Sequence, residues 1–336
     1  GRRLVHGEVV VGARPGLRLG RVAGGTGVAP GEGGFGSSRR RLAGGAGCAR
    51  QQDKEKDHET HGARVVPNPV PVHYTAGPMK WLKRMGAGFL GLLVLAWLGL
   101  VVYAYWPTGI EEVPAVNLAG PADRFVSVDG VNIRYRTWGE PGPDKPTVLL
   151  LHGFANSLQS FRRVAPLLTD RYYVVAYDMP GFGLSDKPAP FDYKNAHQAE
   201  MGSKLIEALG LERVVVGGHS LGGAIALRIA LQSPEVVGLV VMNPGIITTG
   251  VPPIAKYLVF PFPRIQAKLF GDPEFRTSFL KRSFVDPAIV TDDVVRDLSL
   301  TSRSENYLRG MTNLMGQYAD AEEVPMLPRL TVPSLI

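Results

Sequence analysis

One cysteine, Cys48, stands in 336 residues. It has no partner for an intramolecular disulfide, and a zinc site built from several thiolates is excluded. The lack of paired cysteines suits reducing and oxidising compartments equally. Methionine is missing from the first 78 residues: the chain begins at Gly1, and its first methionine is Met79. Aromatic residues are nearly missing there too. Phe35 and Tyr74 are the only ones, too few for the stacking surfaces of an RNA-binding arm. Charge vanishes between Met85 and Trp106, and histidine vanishes after His219.

What is present is unevenly placed. With 45% hydrophobic and 20% charged residues, a wholly disordered chain is ruled out. The 37 Lys+Arg against 30 Asp+Glu give a net charge of +7, which by itself would suit an anionic partner. Residues 1–84, however, hold 15 basic and 6 acidic residues (net +9), while residues 85–336 hold 22 and 24 (net −2). The basicity belongs to the leading segment. Its first 50 residues also carry 15 of the 41 glycines and no periodic apolar face, so it cannot bury enough surface to offset the entropy of ordering. Residues 1–78 are therefore expected to be disordered, with Arg39, Arg40 and Arg41 solvated and no nucleic-acid partner. The functional protein is expected to start at Met79, after a translated upstream or gene-model extension.

The uncharged stretch 85–106 covers roughly 33 Å as a helix, enough for a hydrocarbon core of about 30 Å. A soluble helix of this length would show a polar face. A secretory h-region would be shorter and followed by a small-x-small cleavage site, whereas Ala104 is flanked by tyrosines. Tyr103, Tyr105 and Trp106 suit the far interface, and Pro107 stops the helix. The expectation is an uncleaved anchor at 85–106, preceded by a basic flank at 79–84. Lys80, Lys83 and Arg84 precede it and no basic residue follows until Arg124, so the N-terminus is expected in the cytoplasm and the C-terminal domain outside it. Residues 107–121, punctuated by Pro107, Pro114 and Pro121, read as a linker.

Residues 122–336 alternate strand and helix signals. Strands are expected at Arg124 to Val128, at Val131 to Trp138 after an Asp129-Gly130 turn, and at Thr147 to Leu151, Tyr172 to Tyr177 and Val236 to Met242. Helices are expected at Leu158 to Leu168 and Ala196 to Leu209. This order implies an α/β fold with a mostly parallel sheet and flanking helices. The apolar run from Val214 meets a helix across Gly218-His219-Ser220-Leu221-Gly222. Glycines at these two positions permit a turn tight enough to hold a serine strained and exposed at a helix N-terminus, where free N–H groups favour developing negative charge.

Together with the His152-Gly153-Phe154 loop and the loop from Asp178 to Ser185 (Asp-x-Pro-Gly-x-Gly-x-Ser), these residues resemble the α/β-hydrolase family of lipase and esterase type. The resemblance implies that Ser220 is the nucleophile. It also implies that the backbone N–H groups of Phe154 and Leu221 form the oxyanion hole, and that an acyl-enzyme is hydrolysed by water without cofactor or metal. His152 and Gly153 then shape the oxyanion loop, and Gly218, His219 and Gly222 shape the nucleophile elbow. His197 reads as a surface or packing histidine, and Asp178 as a pin for its loop. In this family the chain order is Ser, then Asp or Glu, then His. Acids such as Asp272 and Asp286 are available, but no histidine follows His219, so catalytic acid and base are unknown within this chain. The last ten residues resemble the approach to a penultimate core strand. The chain is accordingly expected to be a C-terminally truncated and inactive form of a complete enzyme.

About 80 residues separate the Val236 to Met242 strand from the final Leu-Pro-Arg, so a helical cap is expected at about 247–320. Its apolar Val251 to Phe270 stretch fits either plain core packing or an acyl-chain pocket facing lipid. The expected substrate is a small-molecule or lipid ester. Cofactor-free haloperoxidase, carbon-carbon bond hydrolase and a non-catalytic membrane protein are the alternatives. Haloalkane dehalogenases and epoxide hydrolases, which resemble this fold, carry Asp where this chain has Ser220.

Overall fold

The computed structural model describes residues 80–248, 259–317 and 321–336. The expected disordered segment 1–78, Met79 and parts of the expected cap lie outside the described residues. Met85–Ile336 form one compact unit; of the unit before it, Lys80–Arg84 are described, as the opening turns of the first helix.

Helix α1 spans Lys80–Tyr105. It starts five residues before the uncharged stretch, because lysine and arginine are good helix formers and charge does not end a helix. Pro107 lies just beyond its end. Among the described residues, α1 is the one helix long and apolar enough to cross a membrane, with a mean hydropathy of 2.3. The linker is less free than its prolines suggest. Ala115–Leu118 form a single turn, α2, and Val113 exchanges backbone hydrogen bonds with Arg303 (2.8 Å) and Glu305 (2.9 Å).

Seven strands make one sheet: β1 (Arg124–Val128), β2 (Val131–Trp138), β3 (Thr147–Leu151), β4 (Tyr173–Tyr177), β5 (Val214–His219), β6 (Val236–Met242) and β7 (Ser334–Leu335). Their spatial order is β1-β2-β4-β3-β5-β6-β7. The β1–β2 hairpin turns at Asp129-Gly130, and β2 joins β4 antiparallel; every later pairing is parallel. β3, apolar after Thr147, is buried throughout, and its alternation divides it between two layers. Leu149 and Leu151 join Val175, Tyr177, Val214 and Val216 on one face, packed with residues of helices α3 (Asn195–Ala208) and α4 (Leu221–Gln232). Val148 and Leu150 join Val174 and Ala176 on the other, against Leu158, Phe161 and Ala165.

Those last three residues correct the sequence reading. Leu158 to Leu168 is not one helix but two 3-10 turns, Leu158–Phe161 and Ala165–Leu168. Pro166 has no N–H to return to the preceding turn, so an α-helix cannot run through it.

Among the described residues, four α-helices stand between β6 and β7 where a cap is expected: α5 (Phe262–Gly271), α6 (Pro273–Ser283), α7 (Asp292–Arg303) and α8 (Tyr307–Met315). Asp272 accepts the Phe275 N–H at 2.7 Å and caps α6; Asp286 accepts the Ala288 N–H at 2.9 Å and caps a 3-10 turn. Both acids thus serve as helix caps.

Candidate active site

The sheet order creates the site. β3 lies between β4 and β5, so the chain crosses the sheet in opposite senses on its two sides, and the carboxyl ends of β3 and β5 emerge together at this switch point. Leu151 is paired with Gly218, so His152-Gly153-Phe154 and His219-Ser220-Leu221 leave the sheet side by side.

Ser220 holds φ +53° and ψ −120°, a conformation that side-chain-bearing residues rarely adopt. It is fixed from several sides. Its N–H donates to Met242 O at 3.1 Å, and its carbonyl accepts from Gly223 at 2.9 Å, Ala224 at 3.3 Å and Gly245 at 2.9 Å. The elbow glycines are required by contact. A Cβ on Gly218 would fall 2.1 Å from Gly222 O, and one on Gly222 would fall 2.4 Å from both His152 O and Leu151 O. Leu221 opens α4, so its N–H has no acceptor within the helix. Gly153, expected in the oxyanion loop, lies against this turn: a Cβ there would be 3.2 Å from Ser220 Cβ and 3.0 Å from His219 Nδ1. All the residues that the sequence singles out for one site, His152, Gly153, Phe154, Gly218, His219, Ser220, Leu221 and Gly222, are thereby brought together.

His152 is fully buried. The Met179 N–H donates to its Nε2 at 3.2 Å, which leaves the proton on Nδ1, and Nδ1–H donates to Gly153 O at 2.8 Å. Burial pushes its pKa below the ordinary histidine value, against the opposing pull of Asp178 and the Gly153 carbonyl. A neutral imidazole with both nitrogens engaged shapes the loop. His219 is also shifted down by burial. His197 stands on α3, 3.3 Å from Glu200 and against the Phe191 ring. Among the described residues, no histidine hydrogen-bonds the Ser220 hydroxyl, and no three His, Cys, Asp or Glu side chains converge as metal ligands.

Asp178 is fully buried and ties together the loops around the site. Its carboxylate accepts the N–H groups of Leu158 and Leu184, each at 2.7 Å, and pairs with Arg134 at 3.0 Å. Lys187 completes the glycine-rich loop by donating to Gly183 O (2.9 Å) and Ser185 O (2.8 Å). Burial pulls its pKa down to about 8, against the pull of Asp178 and Asp186.

Two further residues stand beside these loops, one of them inside the apolar stretch that the sequence marks and one that it does not. Phe270 of α5 meets the Phe154 ring edge to face at 5.6 Å, and Phe154 meets Phe182 in the same way at 5.9 Å. The apolar stretch ending at Phe270 was the only hint of this wall. Arg276 of α6, 4% exposed, reaches back 121 residues to donate to the carbonyl of Ala155. It forms no ion pair among the described residues, and nothing in its sequence neighbourhood marks it.

A family profile described as the alpha/beta hydrolase fold matches residues 146–322. An uncharacterised hydrolase of Bacillus subtilis, YugF, is 31% identical over 223 residues, which span 66% of this chain and 81% of that protein. Among solved structures, wild-type Cfl2 of Burkholderia cenocepacia is 27% identical with a TM-score of 0.54, covering 67% of this chain and 81% of its own. A membrane phospholipase A described as a bacterial virulence factor is 28% identical with a TM-score of 0.50, covering 75% and 80%.

Proposed function

The chain belongs to the α/β-hydrolase fold family, and from that membership we propose that it is a serine hydrolase cleaving carboxylic esters, lipid esters foremost, through an acyl-enzyme on Ser220. The observation carrying this reading is the strained serine at the head of α4, set against the His152-Gly153-Phe154 loop at the sheet's switch point. The Ser220 Oγ attacks the ester carbonyl. The N–H groups of Leu221 and Phe154 receive the charge on its oxygen, and the alcohol leaves with a proton. Water then releases the acid. The base that takes the serine proton is not assigned to any of these residues.

Lipid is favoured because α1 is apolar enough to span a bilayer and because a membrane phospholipase A is among the similar structures. In this reading α1 anchors the protein with Lys80, Lys83 and Arg84 in the cytoplasm and the hydrolase on the opposite side. Fluorophosphonate labelling of the protein in its native membranes tests the nucleophile. Label is expected on Ser220 and is expected to vanish in Ser220→Ala; persistent labelling of the variant would end the proposal. Esters of graded acyl length then fix the substrate class, and protease protection in sealed vesicles tests the orientation.

A further inference from the structure

Just before α5 stands an apolar tip that the described residues leave exposed: Val259 is 69% exposed and Phe260 50%. The tip does not project at random. The Phe260 ring sits 5.8 Å from Trp97 and 6.2 Å from Tyr105, two residues of α1 separated by eight positions. A ring about equidistant from both lies near the level of residue 101, roughly 6 Å back from Tyr105 along the helix at 1.5 Å per residue. The uncharged stretch of α1 is about as long as a hydrocarbon core is thick. That level therefore falls inside the apolar layer when α1 spans it.

The next turns of α5 change character at the matching height. Arg264 donates to Ala104 O at 3.0 Å and lies over the Tyr105 ring at 4.5 Å. Lys268 donates to Tyr103 O (2.7 Å) and Trp106 O (2.9 Å) and lies over the Tyr103 ring at 4.4 Å. These two cations satisfy the last carbonyls of α1 and complement the negative end of its dipole, at the tyrosine and tryptophan level that marks a membrane interface. An apolar tip followed by a basic turn is the order of a segment that dips into lipid and returns to the headgroups. A groove of about 350 Å³ opens beside it, lined by residues that include Tyr105, Phe260, Arg264 and Arg309.

We propose that Val259–Phe260 and the first turn of α5 form a second membrane contact, with the tip seated among acyl chains beside α1. The proposal rests on the reading of α1 as a spanning helix. Its occupant is the bilayer itself, because the tip is continuous with the lipid-facing surface of α1 and turns basic where headgroups begin. Helix α5 then runs about 15 Å from lipid to Phe270, the ring that walls Phe154 beside Ser220. An ester drawn from the bilayer has this helix as its path.

The test places an environment-sensitive fluorophore on a single cysteine at Val259→Cys, Leu95→Cys or Glu212→Cys, each with Cys48→Ser, in the full chain reconstituted into phosphatidylcholine vesicles containing nitroxide-labelled lipid. Leu95 is a lipid-facing position of α1. Glu212 lies before β5, at the end of the strand away from Ser220. The expected result is quenching and a blue shift at 259 comparable with those at 95, and neither at 212. Quenching at 95 without quenching at 259 overturns the proposal while leaving the anchor intact. No quenching at 95 overturns the anchor and the proposal with it, and equal quenching at 212 overturns the claim that the tip is the part immersed.

Discussion

Arg276 of α6 donates a hydrogen bond to the carbonyl of Ala155, the residue after the proposed oxyanion donor Phe154. Ala155 holds φ +54°, so its peptide needs an external restraint to stay in place, and the buried guanidinium supplies one. In the catalytically complete enzyme, Arg276→Met, which keeps the bulk and removes the donor, is expected to lower kcat about 10- to 100-fold with little change in KM, because it misplaces a transition-state contact. Equal kcat in the two proteins, measured at saturating ester, would make the arginine a packing residue only.

The backbone at Ser220 is expected to trade stability for chemistry. Ser220→Gly removes the proposed nucleophile and also the cost of φ +53°, so fluorophosphonate labelling should vanish while stability rises by about 1 kcal/mol. Urea unfolding of the variant beside Ser220→Ala isolates the backbone contribution, since both lose the hydroxyl and alanine alone keeps a Cβ.

His152 sets an acid limit. Its folded pKa lies below the ordinary histidine value, so between that lower value and about 6.5 the unfolded chain binds a proton that the folded chain refuses. Stability from this residue is complete above about pH 6.5 and is lost as pH falls through the depressed folded value. His152→Gln should flatten the slope of unfolding free energy against pH in that window. His219, shifted the same way, contributes to the slope that remains.

The C-terminal segment is pinned by a buried ion pair. Glu323, fully buried, accepts from Arg228 Nε of α4 at 2.7 Å and from Asn195 of α3 at 3.0 Å. Arg228→Met leaves that carboxylate without its cation and should cost about 3 kcal/mol. Arg228→Met combined with Glu323→Leu should recover much of the loss in the same unfolding assay.

How far the sequence could be read follows from the range of each interaction. Ser220 and its elbow were legible because the Gly-x-Ser-x-Gly pattern is contained in five residues, although only the glycine at 218 is required by that turn itself; the one at 222 is required by the Leu151 and His152 carbonyls of a distant strand end. The strands were legible because burial of both faces leaves continuous apolar runs such as Val148 to Leu151. Hydropathy located the apolar part of α1 but not its true start at Lys80, since it measures partition and not helix formation. The break at Pro166 is written in the sequence, since proline brings no N–H to the preceding turn. Arg276 was illegible: one cation among several on α6, it gains its role only when the fold brings Ala155 beneath it.

The attachments of α1 and the linker also decide which part of the hydrolase is stationary. The last carbonyls of α1 are held by Arg264 and Lys268, and Val113 is clasped by the backbone of Arg303 and Glu305, all residues of the α5–α8 insertion. The sheet, by contrast, continues from the linker through a single strand of chain. On the reading of α1 as a membrane anchor, any opening between the helical insertion and the sheet leaves the insertion with α1 as a fixed gantry, and the sheet carrying Ser220 is the part that swings.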